Sequence, residues 1–129
     1  MRIEHIALWT NDIEKLKDFY INYFGGVAGD KYHNSKNNFE SYFISFDSGA
    51  RLEIMQMPSV PHNLNDTIKQ YIGLIHIAFS VGSTEKVIEL TNRLRNEGYI
   101  VESEPHNTGD GYFESCILDP DGNRVEITE

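Results

Sequence analysis

The stretch LIHIAFSV, residues 74–81, sets a histidine among aliphatic and aromatic residues, and EHIALW, residues 4–9, does the same near the start of the chain. Both contain His-Ile-Ala followed by a large apolar residue, with His5 and His76 separated by 71 positions. A second pair follows in the same order: GARLEI (49–54) and GNRVEI (122–127), separated by 73 positions. Two matches in one order, at nearly one spacing, mark a duplicated module. All four stretches alternate or run apolar in the manner of half-buried strands.

The segments between them repeat as well. Asn11 opens NDIEKLKDFYINYF as a helix cap, and Glu14 stands three residues on as a capping-box partner. Ile13, Leu16, Phe19, Tyr20 and Tyr23 then recur at helical spacing until Gly25-Gly26 ends the run. In the second half Ser83 or Thr84 caps EKVIELTNRLRNEG, whose stripe is Val87, Leu90, Thr91 and Leu94 and whose stop is Gly98. Strands are expected over 27–32, 41–46 and 50–57 in the first half, and over 99–104, 112–118 and 123–128 in the second. Asp47-Ser48-Gly49 and Asp119-Pro120-Asp121-Gly122 supply the hairpin turns. The reading is an α+β chain of two βαβββ modules, 1–57 and 74–129. Pro58 and Pro61 mark 58–73 as the linker, with a short helix expected over DTIKQYI, 66–72.

Side chains alternate faces along a strand, so His5 shares a face with Ile3, Ala7 and Trp9, and His76 with Leu74, Ala78 and Ser80. Glu53 and Glu126 take equivalent places in the last strand of each half, between Leu52 and Ile54 and between Val125 and Ile127. A lone histidine in such a strand reads as a core residue with a hydrogen-bond partner, and a lone glutamate as a solvent-facing one. Independent residues of that kind have no reason to duplicate together, and the joint repetition points to one site assembled from both halves. Two imidazoles and two carboxylates suit Ni²⁺, Co²⁺, Zn²⁺, Mn²⁺ or Fe²⁺, and leave two places of an octahedral shell for water or substrate oxygens.

The 129 residues are 40% hydrophobic and 12% aromatic, enough for a packed core. A net charge of −9 without a basic stripe argues against a nucleic-acid partner. Cys116 is the single cysteine; no intramolecular disulfide is possible, the run CIL suggests a buried, inert thiol, and a reducing compartment fits. No signal-peptide pattern and no apolar run near the ~20 residues of a membrane span appear, so a cytoplasmic location is expected. His33, His62 and His106 fall in polar stretches and read as solvated loop residues.

With EHIALW, NDIEKLKDFYINYFGG, LIHIAFSV and DGYFESCILDPDGNRVEI in place, essentially the whole chain resembles the vicinal-oxygen-chelate superfamily. That superfamily includes glyoxalase I, methylmalonyl-CoA epimerase, extradiol dioxygenases, fosfomycin-resistance enzymes and bleomycin-binding proteins. The resemblance implies paired βαβββ modules whose curved sheets enclose a metal. It is to the glyoxalase I branch in particular, whose His, Glu, His, Glu ligands fall here on His5, Glu53, His76 and Glu126; the dioxygenase branch uses two His and one Glu, and epimerases carry Gln where this chain has Glu53. What it implies chemically is isomerisation of a 2-oxoaldehyde thiol adduct through an enediolate, with Glu53 or Glu126 as the base. It also implies a homodimer in which each site takes His5 and Glu53 from one subunit and His76 and Glu126 from the other. Where similar bacterial glyoxalase I enzymes carry an arginine and an asparagine associated with glutathione, this chain has Trp9 and Met57. A cavity lined by Trp9, Met55 and Met57, with Tyr112 toward its mouth, suits a more apolar ligand. The other reading from the same superfamily is a non-catalytic protein that sequesters a small molecule such as an antibiotic.

Overall fold

The computed structural model describes residues 1–64 and 66–129. The chain divides into two units, Met1–Leu64 and Asn65–Glu129.

In the first unit, β1 (His5–Trp9) leads into α1 (Ile13–Phe24), followed by β2 (Val27–Ala28), β3 (Tyr32–Asn34), β4 (Phe39–Ser45) and β5 (Arg51–Gln56). The sheet runs β1-β5-β4-β2, with β3 also on β4. β1 and β5 are parallel, and the remaining pairs are antiparallel. The second unit repeats the plan with β6 (His76–Ser80), α2 (Thr84–Asn96), β7 (Val101–Asn107), β8 (Phe113–Leu118) and β9 (Arg124–Thr128), ordered β6-β9-β8-β7 with β6 parallel to β9. Both sheets are mixed and open, and the α+β class follows. No helix among the described residues is long and apolar enough to cross a membrane.

Each helix covers one face of its own sheet. α1 buries Ile13, Leu16, Phe19 and Tyr20, and the sheet answers with Ile44, Leu52 and Ile54, all at most 3% exposed. α2 buries Val87, Thr91 and Leu94 over Ile117, Val125 and Ile127. Each such aliphatic side chain contributes about 1.5–3 kcal/mol on leaving water. Thr91 joins that core by donating its hydroxyl to the Val87 carbonyl and sharing a hydrogen bond with the Ser115 hydroxyl, both at 2.6 Å. The opposite face of each sheet carries no helix of its own unit. The alternating exposure of β1 and β6 records this: His5, Ala7 and Trp9, and likewise His76, Ala78 and Ser80, are the exposed members.

Several local expectations are corrected. The N-cap of α1 is Asp12, whose carboxylate accepts from the Lys15 amide at 3.0 Å; Asn11 instead faces His62, Nδ2 to Nδ1 at 3.0 Å. Glu14 does not close a capping box, because Lys17, Lys31 (3.1 Å) and the Tyr42 hydroxyl (2.9 Å) hold its carboxylate. In α2 the cap is Ser83, accepting from the Lys86 amide at 3.3 Å. The single strand expected over 27–32 is two short ones. After Gly29 donates to the Phe43 carbonyl at 2.9 Å the chain leaves β4, and pairing resumes at Tyr32. His33 and His106 lie in β3 and β7 rather than in loops. The helix expected over 66–72 is absent. Asp66 does accept from the Ile68 and Lys69 amides in the manner of a cap. Ile68, Tyr71 and Ile72 are all exposed, however, and so short a segment lacks the packing that would offset helix nucleation.

Candidate metal centre

On the open face of the first sheet, β1 and β5 run side by side with His5 opposite Arg51 and Ala7 opposite Glu53. The strands being parallel, the imidazole and the carboxylate project from the same face, and His5 Nε2 lies 3.7 Å from Glu53 Oε2. The second sheet has the same register, His76 opposite Arg124 and Ala78 opposite Glu126, with His76 Nδ1 3.1 Å from Glu126 Oε1. The duplicated His-Ile-Ala and Arg-x-Glu-Ile segments thus pair with each other inside each unit. Each sheet sets one of the duplicated histidines beside one of the duplicated glutamates. Among the described residues no group of three or more His, Cys, Asp or Glu side chains gathers to hold a metal. Each unit brings two donors, nitrogen and oxygen, of the kinds that a borderline divalent cation accepts.

The surroundings of the two pairs differ. In the first unit the Glu4 carboxylate takes His5 Nδ1 at 2.5 Å through one oxygen and the Arg51 guanidinium through the other. Arg51 lies over the Phe43 ring, 4.1 Å from its centroid, and Phe43 meets the His5 imidazole edge-on at 5.4 Å. Trp9 packs edge-on against Phe39 at 6.0 Å, opposite Met55 in the β1–β5 register. Met57 lies just past the end of β5, where its carbonyl accepts from the Val60 amide at 3.1 Å. Trp9, Met55 and Met57, expected to line a pocket, therefore lie at the end of the sheet to which β1 runs.

In the second unit a cavity of about 320 Å³ opens over the sheet, lined among others by His76, Glu126, Glu114, His106, Glu102 and Arg124. Glu126 is four-fifths buried at its side chain. Burial pushes its pKa up, the His76 ring pulls it down, and the nearby Glu114 carboxylate raises it again. A carboxyl raised in this way is a stronger base than a free one. Cys116, also in the cavity wall, is buried and its thiol is pushed up to about 12, by burial first and then by Glu102 and Glu126. It stays protonated and is no nucleophile at neutral pH. Tyr112 lies in the turn before β8, its ring exposed and its backbone held by Thr108.

Glu4, Arg51, Phe43, Glu114 and Arg124 were not singled out by the sequence, and His106 was read as a solvated loop residue. Arg51 and Arg124 carried a signal, since each stands two residues before a duplicated glutamate in GARLEI and GNRVEI. Glu4 and Glu114 carried none, because neither has a counterpart in the other half.

A family model described as the Glyoxalase/Bleomycin resistance protein/Dioxygenase superfamily matches residues 2–127. The chain is 30% identical over 130 residues to the uncharacterized protein YwkD of Bacillus subtilis (strain 168), covering 98% of this chain and 95% of that one. It is similar in structure to the glyoxalase family protein of Enterococcus faecalis, with a TM-score of 0.78 and 25% identity over 99% of this chain and 97% of that one. The trypanothione-dependent glyoxalase I of Leishmania major shares the fold, with a TM-score of 0.76 at 20% identity, over 100% of this chain and 86% of that one.

Proposed function

The chain belongs to the Glyoxalase/Bleomycin resistance protein/Dioxygenase superfamily, and on that premise we propose that it is a metal-dependent lyase of the glyoxalase I type. Its substrate is the adduct of a 2-oxoaldehyde with a thiol, or a similar small molecule with two neighbouring oxygens. The observation that carries this reading is the repeated pair, His5 beside Glu53 and His76 beside Glu126, at one register on the open face of both sheets. In this reading the four side chains hold one divalent metal, nickel, cobalt or zinc, with manganese and iron in the same donor range. The active form is a homodimer.

When bound, the metal supplies Lewis acidity to the two substrate oxygens and so acidifies the C–H bond beside them. Glu126 or Glu53 takes the proton from that carbon. The freed electron pair would shift into the adjacent carbonyl, the same carboxyl would return the proton to the neighbouring carbon, and the hydroxyl proton would pass to the other oxygen. No atom is gained or lost. Acting as a general base, either carboxylate would contribute on the order of 10²–10⁴-fold. Trp9, Met55 and Met57 form an apolar wall for the thiol portion, with Tyr112 at the mouth, which disfavours glutathione relative to a less polar thiol.

The experiment is elemental analysis of the purified protein followed by turnover of methylglyoxal with glutathione and other thiols, metals varied. A divalent metal lost in His76→Ala, with circular dichroism unchanged, and turnover with at least one thiol are expected. Metal retained at full stoichiometry in His76→Ala, or no turnover with any combination, refutes the assignment.

A further inference from the structure

The first histidine carries a support that the second lacks. Glu4 immediately precedes β1, its carbonyl accepts from the Arg51 amide at 3.0 Å, and its carboxylate reaches back to His5. One oxygen takes His5 Nδ1 and the other takes the Arg51 guanidinium, which itself stacks on Phe43, the ring that meets His5 edge-on. Glu4, Arg51, Phe43 and His5 close a ring of contacts within one unit. At the matching place before β6 the chain has Ile75, which has no hydrogen-bonding side chain, and there it is Nδ1 of His76 that faces the glutamate.

An isolated exposed ion pair of this kind is worth little. A carboxylate already held through its second oxygen is different, because its position is fixed before the imidazole arrives. An imidazole donating Nδ1–H to such a carboxylate is locked in one tautomer, with the Nε2 lone pair free and directed toward Glu53.

We infer that Glu4 is a positioning residue that makes His5 a fixed Nε2 donor, while His76, without an equivalent, is the adjustable histidine of the pair. The inference deepens the proposed metal site and rests on that reading for its consequence, though its structural content stands without metal. Histidine-selective ¹⁵N NMR on the metal-free full-length protein reads the tautomer directly. His5 is expected as a single Nδ1–H form that persists when zinc is added, whereas the His76 form is expected to change on zinc addition, because its Nδ1 faces Glu126, itself a proposed ligand. In Glu4→Ile, which installs the residue of the second unit, the His5 signal becomes a mixture. Glu4→Gln, which keeps an acceptor oxygen and the size, restores most of the preference and serves also if the isoleucine variant folds poorly. Nickel affinity measured by calorimetry falls roughly 10–100-fold in Glu4→Ile.

A mixed His5 tautomer in the native chain, or a pure one unchanged in both Glu4 variants, overturns the inference. So does a Glu4→Ile protein that binds nickel as tightly as the native one. A native chain with no affinity for any divalent metal refutes the metal reading instead, and the NMR result still decides the role of Glu4.

Discussion

The turn at 119–123 sets where β9 begins, and removing Asp119 tests how much of the second unit depends on it. Asp119 is 4% exposed and its carboxylate accepts from the Asp121 amide at 2.9 Å, the Asn123 amide at 2.9 Å and Asn123 Nδ2 at 2.8 Å. Its backbone closes the same loop, donating to the Asn123 carbonyl at 2.9 Å and accepting from Gly122 at 3.0 Å. Hydrogen bonds to an ionised acceptor are worth about 1.5–3 kcal/mol each and overlap when they share one carboxylate. Asp119→Ala should therefore lose about 3–4 kcal/mol, a fall in Tm of roughly 12–16 °C for a chain of this length. Asp119→Asn keeps one oxygen for the two amides and turns an NH₂ group toward Asn123 Nδ2. It should lose about 1 kcal/mol, near 4 °C. Thermal unfolding followed by circular dichroism gives both values, and hydrogen exchange at the Asp119 amide, which donates to the Asn123 carbonyl, shows whether the β8–β9 end opens with the turn. Alanine costing no more than asparagine would refute the assignment of the carboxylate as the organiser of this turn.

Three further outcomes are expected. The Glu14 carboxyl, held by Lys17, Lys31 and Tyr42, is lowered to about 2 from an ordinary 4.5. Its folded pKa being depressed, it stabilises the protein above pH 4.5 and loses that contribution as pH falls toward 2; being half exposed it contributes modestly, and the Tm gap between native protein and Glu14→Gln should close across that window. Gly26→Ala places a Cβ 2.5 Å from Ile44 Cγ2 and 3.2 Å from the Tyr20 carbonyl, and should cost roughly 1–3 kcal/mol in denaturant unfolding; a neutral result would mean that the α1–β4 contact yields. Cys116, with its thiol near 12, should resist thiol-specific labelling at neutral pH until the protein unfolds, and rapid labelling of folded protein would contradict its burial.

The two-unit plan was legible because duplication gives every element a second witness. His-Ile-Ala and Arg-x-Glu-Ile recur together, and the parallel pairings β1–β5 and β6–β9 bring them side by side at one register. Capping was less legible. Asn11 and Asp12 are both good caps, and the choice fell to Asp12 once Asn11 found His62. Polar composition misled at His33 and His106, where cross-strand partners Glu40 and Glu114 keep polar residues in strands. The break between β2 and β3 left no sign beyond Gly29 and Asp30, too short a signal to split a strand.

The same logic explains what the sequence hid around the histidines. Strand parity assigns the residue before His5 to the opposite face, yet the Glu4 carboxylate reaches back to His5 Nδ1 and the Arg51 guanidinium. Arg51 and Arg124 look alike in sequence, yet Arg51 holds Glu4 and stacks on Phe43, whereas Arg124 donates to the Thr67 carbonyl and pairs with Glu102 at 3.6 Å. Repetition therefore discloses the donors that both halves share and conceals the contacts that make the halves unequal. Around the proposed metal site those unequal contacts divide the surroundings of the two histidines, with the Glu4–Arg51 pair beside His5 and a cavity wall of Glu126 and Glu114 beside His76. Glu4 beside His5, and Glu114 beside Glu126, are the residues at which that division is written.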